Sequence, residues 1–226
     1  MHRSVPASEL PASDLRASDA YRLMTSLIAP RPIAWISSLD RAGRTNLAPF
    51  SYFQAVCSKP PTIVLGFGAR PDGTAKDTLA NILERREFVV NHVSRELAEV
   101  MNASSAPYPP GVSEFDALGV ESAASAHVAP PRVAHALASL ECTLQHAIPL
   151  GEGRSGGRSS TLVVARVVHF HVAEGLVEYD DRGRIKPIEP ARLAAVGRLG
   201  GIAYTTTAGS FDLPRPVLPP QSTPSA

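Results

Sequence analysis

The sequence predicts a mainly β domain, a closed or partly closed antiparallel barrel with a few short peripheral helices. Three observations lead there. Gly and Pro together make up about 16% of the 226 residues, above the average of about 12%, so turns are frequent. Runs of β-branched and apolar residues recur between turn signals. The strand–helix–strand alternation of a doubly wound sheet is missing.

The elements follow in chain order. Ile33–Leu39 reads as a strand that runs into Asp40-Arg41-Ala42-Gly43 and resumes through Arg44–Leu47. A four-residue turn closed by Gly fits a type I hairpin with a left-handed last residue. Thr62–Phe67 follows a Pro-Pro pair and reads as a buried strand, as do Phe88–Val93, Leu140–Leu150 and Thr161–Val172. Leu176–Tyr179 with the turn Asp180–Gly183 reads as a further hairpin arm. Leu79, Ile82 and Leu83 have helical spacing, with Asp77 or Thr78 as cap. Ser94 opens a second helix bearing Leu97, Val100 and Met101, and Pro190 opens a third with Leu193 and Val196.

Residues 1–18 carry no hydrophobic period and are expected as a flexible tail. Residues 213–226 hold five prolines in fourteen positions and favour extended chain. The pattern between them, 19–212, is continuous and reads as one domain.

Composition excludes several classes of function. Hydrophobic residues are 44% and charged residues 19%, enough to bury a core. Lys plus Arg is 22 against 21 for Asp plus Glu, a net of +1, so nothing electrostatic points to nucleic acid or an anionic membrane as partner. Cys57 and Cys142 cannot build a disulfide framework or a four-ligand zinc site. No segment has the apolar core of a signal peptide or the ~18 apolar residues of a membrane span. A soluble cytoplasmic protein is expected.

Two motifs fail on context. Gly153-Arg154-Ser155-Gly156-Gly157 matches a nucleophile elbow in letters, but a strand-like segment follows where that chemistry needs a helix. Gly66-Phe67-Gly68 lacks the third glycine of a dinucleotide fingerprint, with Pro71 in its place. His169 and His171, two apart on a strand, share a face. No paired carboxylate or cysteine cluster stands beside them in sequence, so no metal site is expected.

Two motifs survive. Lys76-Asp77-Thr78 lies where a loop meets a helix start, whose unpaired N–H groups and positive dipole end suit a phosphate. Ordinary capping by Asp77 with a solvated Lys76 is the alternative. In Asn46-Leu47-Ala48-Pro49-Phe50-Ser51, Pro49 should stop the strand and leave neighbouring edge groups free. Such groups suit a planar ligand with a polar edge; a plain strand-ending turn is the alternative.

These segments occur in a familiar order. Arg31-Pro32-Ile33-Ala34-Trp35-Ile36-Ser37, the Asn46–Ser51 run, Lys76-Asp77-Thr78, Glu87–Asn91, Met101–Pro107, Leu140-Glu141-Cys142 and Arg198-Leu199-Gly200-Gly201 with Tyr204 together resemble the flavin reductase-like family of FMN-binding split-barrel proteins, which includes flavoredoxin. The resemblance spans about residues 20–215. It implies a six-stranded antiparallel Greek-key split barrel, a homodimer, and FMN in a cleft near the subunit interface. It implies that Asn46, Leu47, Ala48, Pro49, Phe50 and Ser51 face the isoalloxazine ring, and that Lys76, Asp77 and Thr78 hold the phosphate. Ser37 and Ser38 would lie close by, Asn102, Ser104 and Ser105 would line the cleft, and Arg198 would close over the flavin.

The function implied is NAD(P)H-dependent flavin reduction, with NADH or NADPH as co-substrate and a monooxygenase as possible recipient of reduced flavin. A flavoredoxin-like electron carrier and a non-catalytic flavin-binding protein are the alternatives. The strand carrying His171 ends near the implied open face of the flavin. His171 is therefore expected to contact the nicotinamide or its ribose, the alternative being a histidine satisfied in the barrel wall.

Overall fold

The computed structural model describes residues 9–109, 111–152, 159–207 and 209–216. The Gly153–Gly157 motif and the ends of both tails lie outside them. Seven strands form one antiparallel sheet in the order β3-β2-β6-β9-β10-β5-β4. They are β2 (Ala34–Leu39), β3 (Thr45–Phe50), β4 (Phe53–Ser58), β5 (Pro61–Gly68), β6 (Glu87–Asn91), β9 (Ala138–Leu150) and β10 (Ser160–Val172). This is one strand more than the resemblance implies. The added strand, β4, is mostly exposed at the sheet edge and has no apolar alternation to announce it.

The sheet curls. Phe50 on β3 and Phe67 on β5 stack with ring centres 4.6 Å apart, although five strand spacings of roughly 4.8 Å separate them along the sheet. β3 and β5 approach without pairing, which leaves the wall open there. Alternate residues of each strand face inward, among them Ile36, Phe50, Leu65, Phe88, Val90 and Val163, and make the inner core with Leu79 and Ile82 of α2 (Asp77–Arg85).

A second core lies on the outer face of β2 and β3. Trp35 and Leu47 pack there against Met101 of α3 (Ala98–Ala103), Phe115 of α4 (Glu114–Leu118) and Val196 of β11 (Val196–Arg198). β2 is covered on both faces, which is why Ala34 to Ser38 are all buried. β11 sits between β1 (Arg31–Pro32) and β12 (Tyr204–Thr206) in a small three-stranded sheet. A two-stranded ribbon of β7 (Ser122–Ala123) and β8 (Arg132–Val133) completes the strands. α1 (Ala17–Leu27) packs no continuous apolar face and was not foreseen; it begins inside the segment expected as a tail. α5 (Pro190–Leu193) starts at Pro190 as expected, but Val196 belongs to β11.

The first hairpin forms as expected, with Gly43 at φ 82°. Pro49, however, does not stop its strand. Leu47 sends its N–H away from β2, to the Glu114 carboxylate at 2.7 Å, and Pro49 occupies the same parity on this edge strand. No ladder bond is lost there, so the strand continues to Phe50. The N-cap of α2 is Lys76, with no side-chain cap, so neither Asp77 nor Thr78 fills that role. The Leu176–Tyr179 arm reduces to a single bridge, Tyr179 with Ile185.

Candidate functional site

The end of β3 is where the expected residues converge. Asn46 donates its side-chain N–H to the Thr78 hydroxyl at 2.9 Å, joining the two motifs that the sequence separates by thirty residues. The Lys76 ammonium stands over the Phe50 ring, 5.3 Å from its centre, within cation–π range. Among the described residues no carboxylate pairs with Lys76, and desolvation, with Arg70 nearby, holds its pKa below the usual lysine value. Asp77 is neutralised by Arg70 at 2.6 Å. The start of α2 thus presents an unpaired cation beside N–H groups that no side chain caps.

Directly beside Phe50, Pro49 and Ser51 line a cavity of about 600 Å³. Its other walls come from α1, from Met101 of α3 and Ser105 just beyond that helix, and from the β11–β12 turn through Arg198 and Tyr204. Among the described residues three arginines, Arg22, Arg31 and Arg198, line it and no carboxylate does, although Asp19 stands 3.7 Å from Arg22. Arg31 is 6% exposed, and its guanidinium donates to the carbonyls of Thr25 (2.6 Å), Ile28 (3.1 Å) and Leu199 (3.1 Å) and to the Ser51 hydroxyl (3.4 Å). Neutral carbonyls satisfy its N–H groups but leave its charge uncompensated. Arg198 lies 4.4 Å from the Tyr204 ring centre and donates to the Gly201 carbonyl. Tyr204 in turn donates to the Asn102 side chain at 2.9 Å.

A cationic cavity with Tyr21 and Tyr204 in its walls fits a planar anion of the flavin type. A larger cavity, about 1040 Å³, lies between the two main sheets. It is lined by Phe53, Leu140, Phe170 and other apolar groups, with both ring nitrogens of His92 buried and without partners. Apart from Arg31 it offers no cation, so it does not suit a phosphate.

Of the expected residues, Pro49, Ser51, Ser105 and Arg198 line the cationic cavity; among those that do not, five are engaged elsewhere in the fold. Leu47 is fully buried and its N–H is engaged by Glu114. Ser37 donates to the Pro131 carbonyl and accepts from Asn91; Ser38 accepts from Asn81 at 3.1 Å. Ser104 accepts the Trp35 indole N–H at 2.9 Å and donates to the Met101 carbonyl at 2.7 Å. All three serines are buried and hold the fold together.

His171 is the fifth. The register aligns Pro49, Trp35, Asn91, Ser139 and His171 across five strands, an arc of about 19 Å. His171 instead bonds Glu141 at 2.5 Å. His171 is thus held by Glu141 and is not among the residues that line the cationic cavity.

Glu141 was missed as a functional group. A lone acid between Leu140 and Cys142 in a long apolar strand was the available signal, since a buried charge must find partners. It accepts backbone N–H groups of Ala126 (2.6 Å), His127 (2.6 Å) and Val128 (3.1 Å). Despite desolvation, these bonds and His171 pull its pKa down to about 2. With Asn91, which accepts from Val133, it straps the 124–133 loop onto the outer face of the sheet. Arg31 stood in a quoted motif, but nothing local marked it as a cavity wall.

Comparison with known proteins identifies the family. The family model for the flavin reductase like domain matches residues 25–189. Nitrilotriacetate monooxygenase component B from Bacillus cereus superposes with a TM-score of 0.85 at 34% identity, covering 93% of this chain and 100% of that one. The 2-nitrobenzoate 2-nitroreductase of Pseudomonas fluorescens gives 0.79 at 30%, covering 95% and 100%. A split-barrel-domain protein from Shewanella frigidimarina gives 0.72 at 22%, covering 91% and 96%, and supports the fold alone. By sequence match and structure together, this chain belongs to the flavin reductase-like family.

Proposed function

We propose that this protein is an FMN-binding flavin reductase that uses NADH or NADPH and supplies electrons to a monooxygenase or another acceptor. The observation that carries the reading is the cavity at the end of β3, lined by three arginines, together with Lys76, which stands over the Phe50 ring of the same strand. When bound, FMN supplies the redox chemistry by accepting hydride from a reduced nicotinamide. The chain's part is binding, orientation and charge.

Lys76 and the first-turn N–H groups of α2 are assigned to the phosphate, with Thr78 and Asn46 fixing that corner. Pro49, Phe50 and Ser51, with the backbone of Ala48, are assigned to the ring. Ser105, Arg198 and Tyr204 close the opposite wall, with Asn102 holding Tyr204. Arg31 places a permanent positive charge at the cavity wall, and such a charge favours the more negative, reduced form of any bound redox group.

The family likeness supports this chemistry, and the monooxygenase-component neighbour supports an oxygenase as recipient. A homodimer is part of the proposal. Phe170, Val172 and Ile148 leave apolar surface exposed on the two long strands, a surface that a second copy would cover. The test is to bind FMN to the purified chain and follow nicotinamide oxidation with and without added flavin. FMN-dependent oxidation of NADH or NADPH supports the proposal. Reduction by a protein donor alone, with no nicotinamide oxidation, supports a flavoredoxin-like carrier instead.

A further inference from the structure

The outer face of β9 and β10 gathers chemistry that the flavin reading leaves unused. Plain alternation would send His169 and His171 inward with Val163, Ala165 and Val167. An irregularity between Val167 and His169 reverses the parity, so His169 lies opposite Glu141 and His171 opposite Ser139. Both histidines then face outward.

Glu141 brings in a third. Its carboxylate accepts the His127 N–H at 2.6 Å, which draws that residue over the pair. The His127 and His169 ring centres are 4.8 Å apart, and those of His169 and His171 are 4.7 Å apart. Interplanar angles of 47° and 64° exclude parallel stacking. Ligand atoms of Glu141, His169 and His171 all lie within 4.8 Å of one another. The carboxylate that the sequence did not place beside the two histidines is supplied by the neighbouring strand.

We propose that His127, His169 and His171 form a site for a divalent transition-metal ion of the zinc type, with Glu141 orienting His171. A metal–nitrogen bond of about 2.0–2.1 Å at tetrahedral angles sets imidazole ring centres roughly 5.2 Å apart. The His127–His169 and His169–His171 spacings each need an adjustment of about half an ångström on that scale. His171 uses Nε2 for Glu141, and its Nδ1 has no hydrogen bond among the described residues, so Nδ1 is the ligating atom. A carboxylate on the far nitrogen is the usual support for a metal-bound imidazole. Three nitrogen ligands select a zinc-like ion over calcium or magnesium, which require oxygen. Such an ion would fasten the 124–133 loop to β10, remote from the cationic cavity, and the proposal does not rest on the flavin reading.

The test uses the untagged full chain, stripped with chelator and titrated with zinc chloride by calorimetry. One zinc per chain is expected, with affinity at least about tenfold weaker in His169→Ala and in His127→Ala. Zinc should also raise the melting temperature of the wild type and not of His169→Ala. Cobalt in place of zinc should give the intense visible absorption of a tetrahedral site. FMN affinity, read by fluorescence quenching, should be the same in His169→Ala as in the wild type, which shows that the variant is folded. No zinc binding up to about 100 µM, or equal binding by the wild type and both variants, would overturn the proposal.

Discussion

Glu114 offers a test of how β3 is held. It is 7% exposed and accepts the Leu47 N–H of the sheet edge at 2.7 Å. It also lines a small polar cavity of about 140 Å³ with Asn46, Asp77 and Asn81. Burial raises its pKa above the ordinary glutamate value, partly offset by the Leu47 N–H, while the charge of Asp77 raises it further. Glu114→Ala leaves the Leu47 N–H buried without an acceptor, at a cost of about 1–3 kcal/mol. Glu114→Gln keeps an acceptor oxygen, turns its amide toward the polar cavity and removes the buried charge. The glutamine variant should therefore match or exceed the wild type in stability at pH 7.

The sign of the pH dependence follows from the raised pKa. The native state binds its proton more tightly than the unfolded state does, so wild-type stability falls as pH rises through that window. Any advantage of Glu114→Gln at pH 7 should shrink as pH drops toward 4.5. Urea unfolding of the three proteins at pH 7 and pH 5 measures both effects. A glutamine variant as unstable as the alanine variant at pH 7 would refute the reasoning, as would a wild-type-to-glutamine gap that ignores pH. Because Leu47 lies next to Asn46 and Ala48, Glu114→Ala should also weaken FMN binding.

Other substitutions probe the remaining parts. Lys76→Ala should remove a charge-assisted contact worth about 1.5–3 kcal/mol, lowering FMN affinity roughly 10- to 150-fold and leaving riboflavin affinity nearly unchanged; fluorescence titration of both flavins reads the difference. Glu141→Ala strips three backbone N–H groups of their acceptor, so the melting temperature should fall by several degrees and the 124–133 loop should become sensitive to protease; an unaltered cleavage pattern would count against the strap. His171→Asn should lower stability and leave the Michaelis constant for the nicotinamide unchanged, whereas a selective rise in that constant would restore the contact expected from sequence. Light scattering of FMN-loaded protein should give a dimer, and a monomer with undiminished FMN affinity would remove that part of the proposal.

The strands and the first hairpin were legible because period-two burial and turn chemistry are local. The strand that Pro49 was expected to end was misjudged because its outcome depends on which N–H groups face the neighbouring strand, a matter of edge position. Ser37, Ser38 and Ser104 read as cleft residues because a hydroxyl looks the same from sequence whether it meets a ligand, Asn91, Asn81 or Trp35. The hydrogen bond from Asn46 to Thr78 was not legible, since it joins β3 to the start of α2 across 32 residues of sequence. The pairing of Glu141 with His171 was invisible, since it requires the β9–β10 register and the irregularity at Val168. The surplus of arginine over acid at the cavity likewise exists only after α1, β1 and the β11–β12 turn come together.

The central claim is that the cavity beside Pro49, Phe50 and Ser51 makes this chain a flavin reductase. The most direct measurement is nicotinamide oxidation by purified protein saturated with FMN, compared with FMN alone and with protein alone. The account predicts rapid oxidation of NADH or NADPH only when protein and FMN are both present, reduced several-fold in Lys76→Ala at limiting FMN. Tight FMN binding with no oxidation above the rate of free flavin would contradict it.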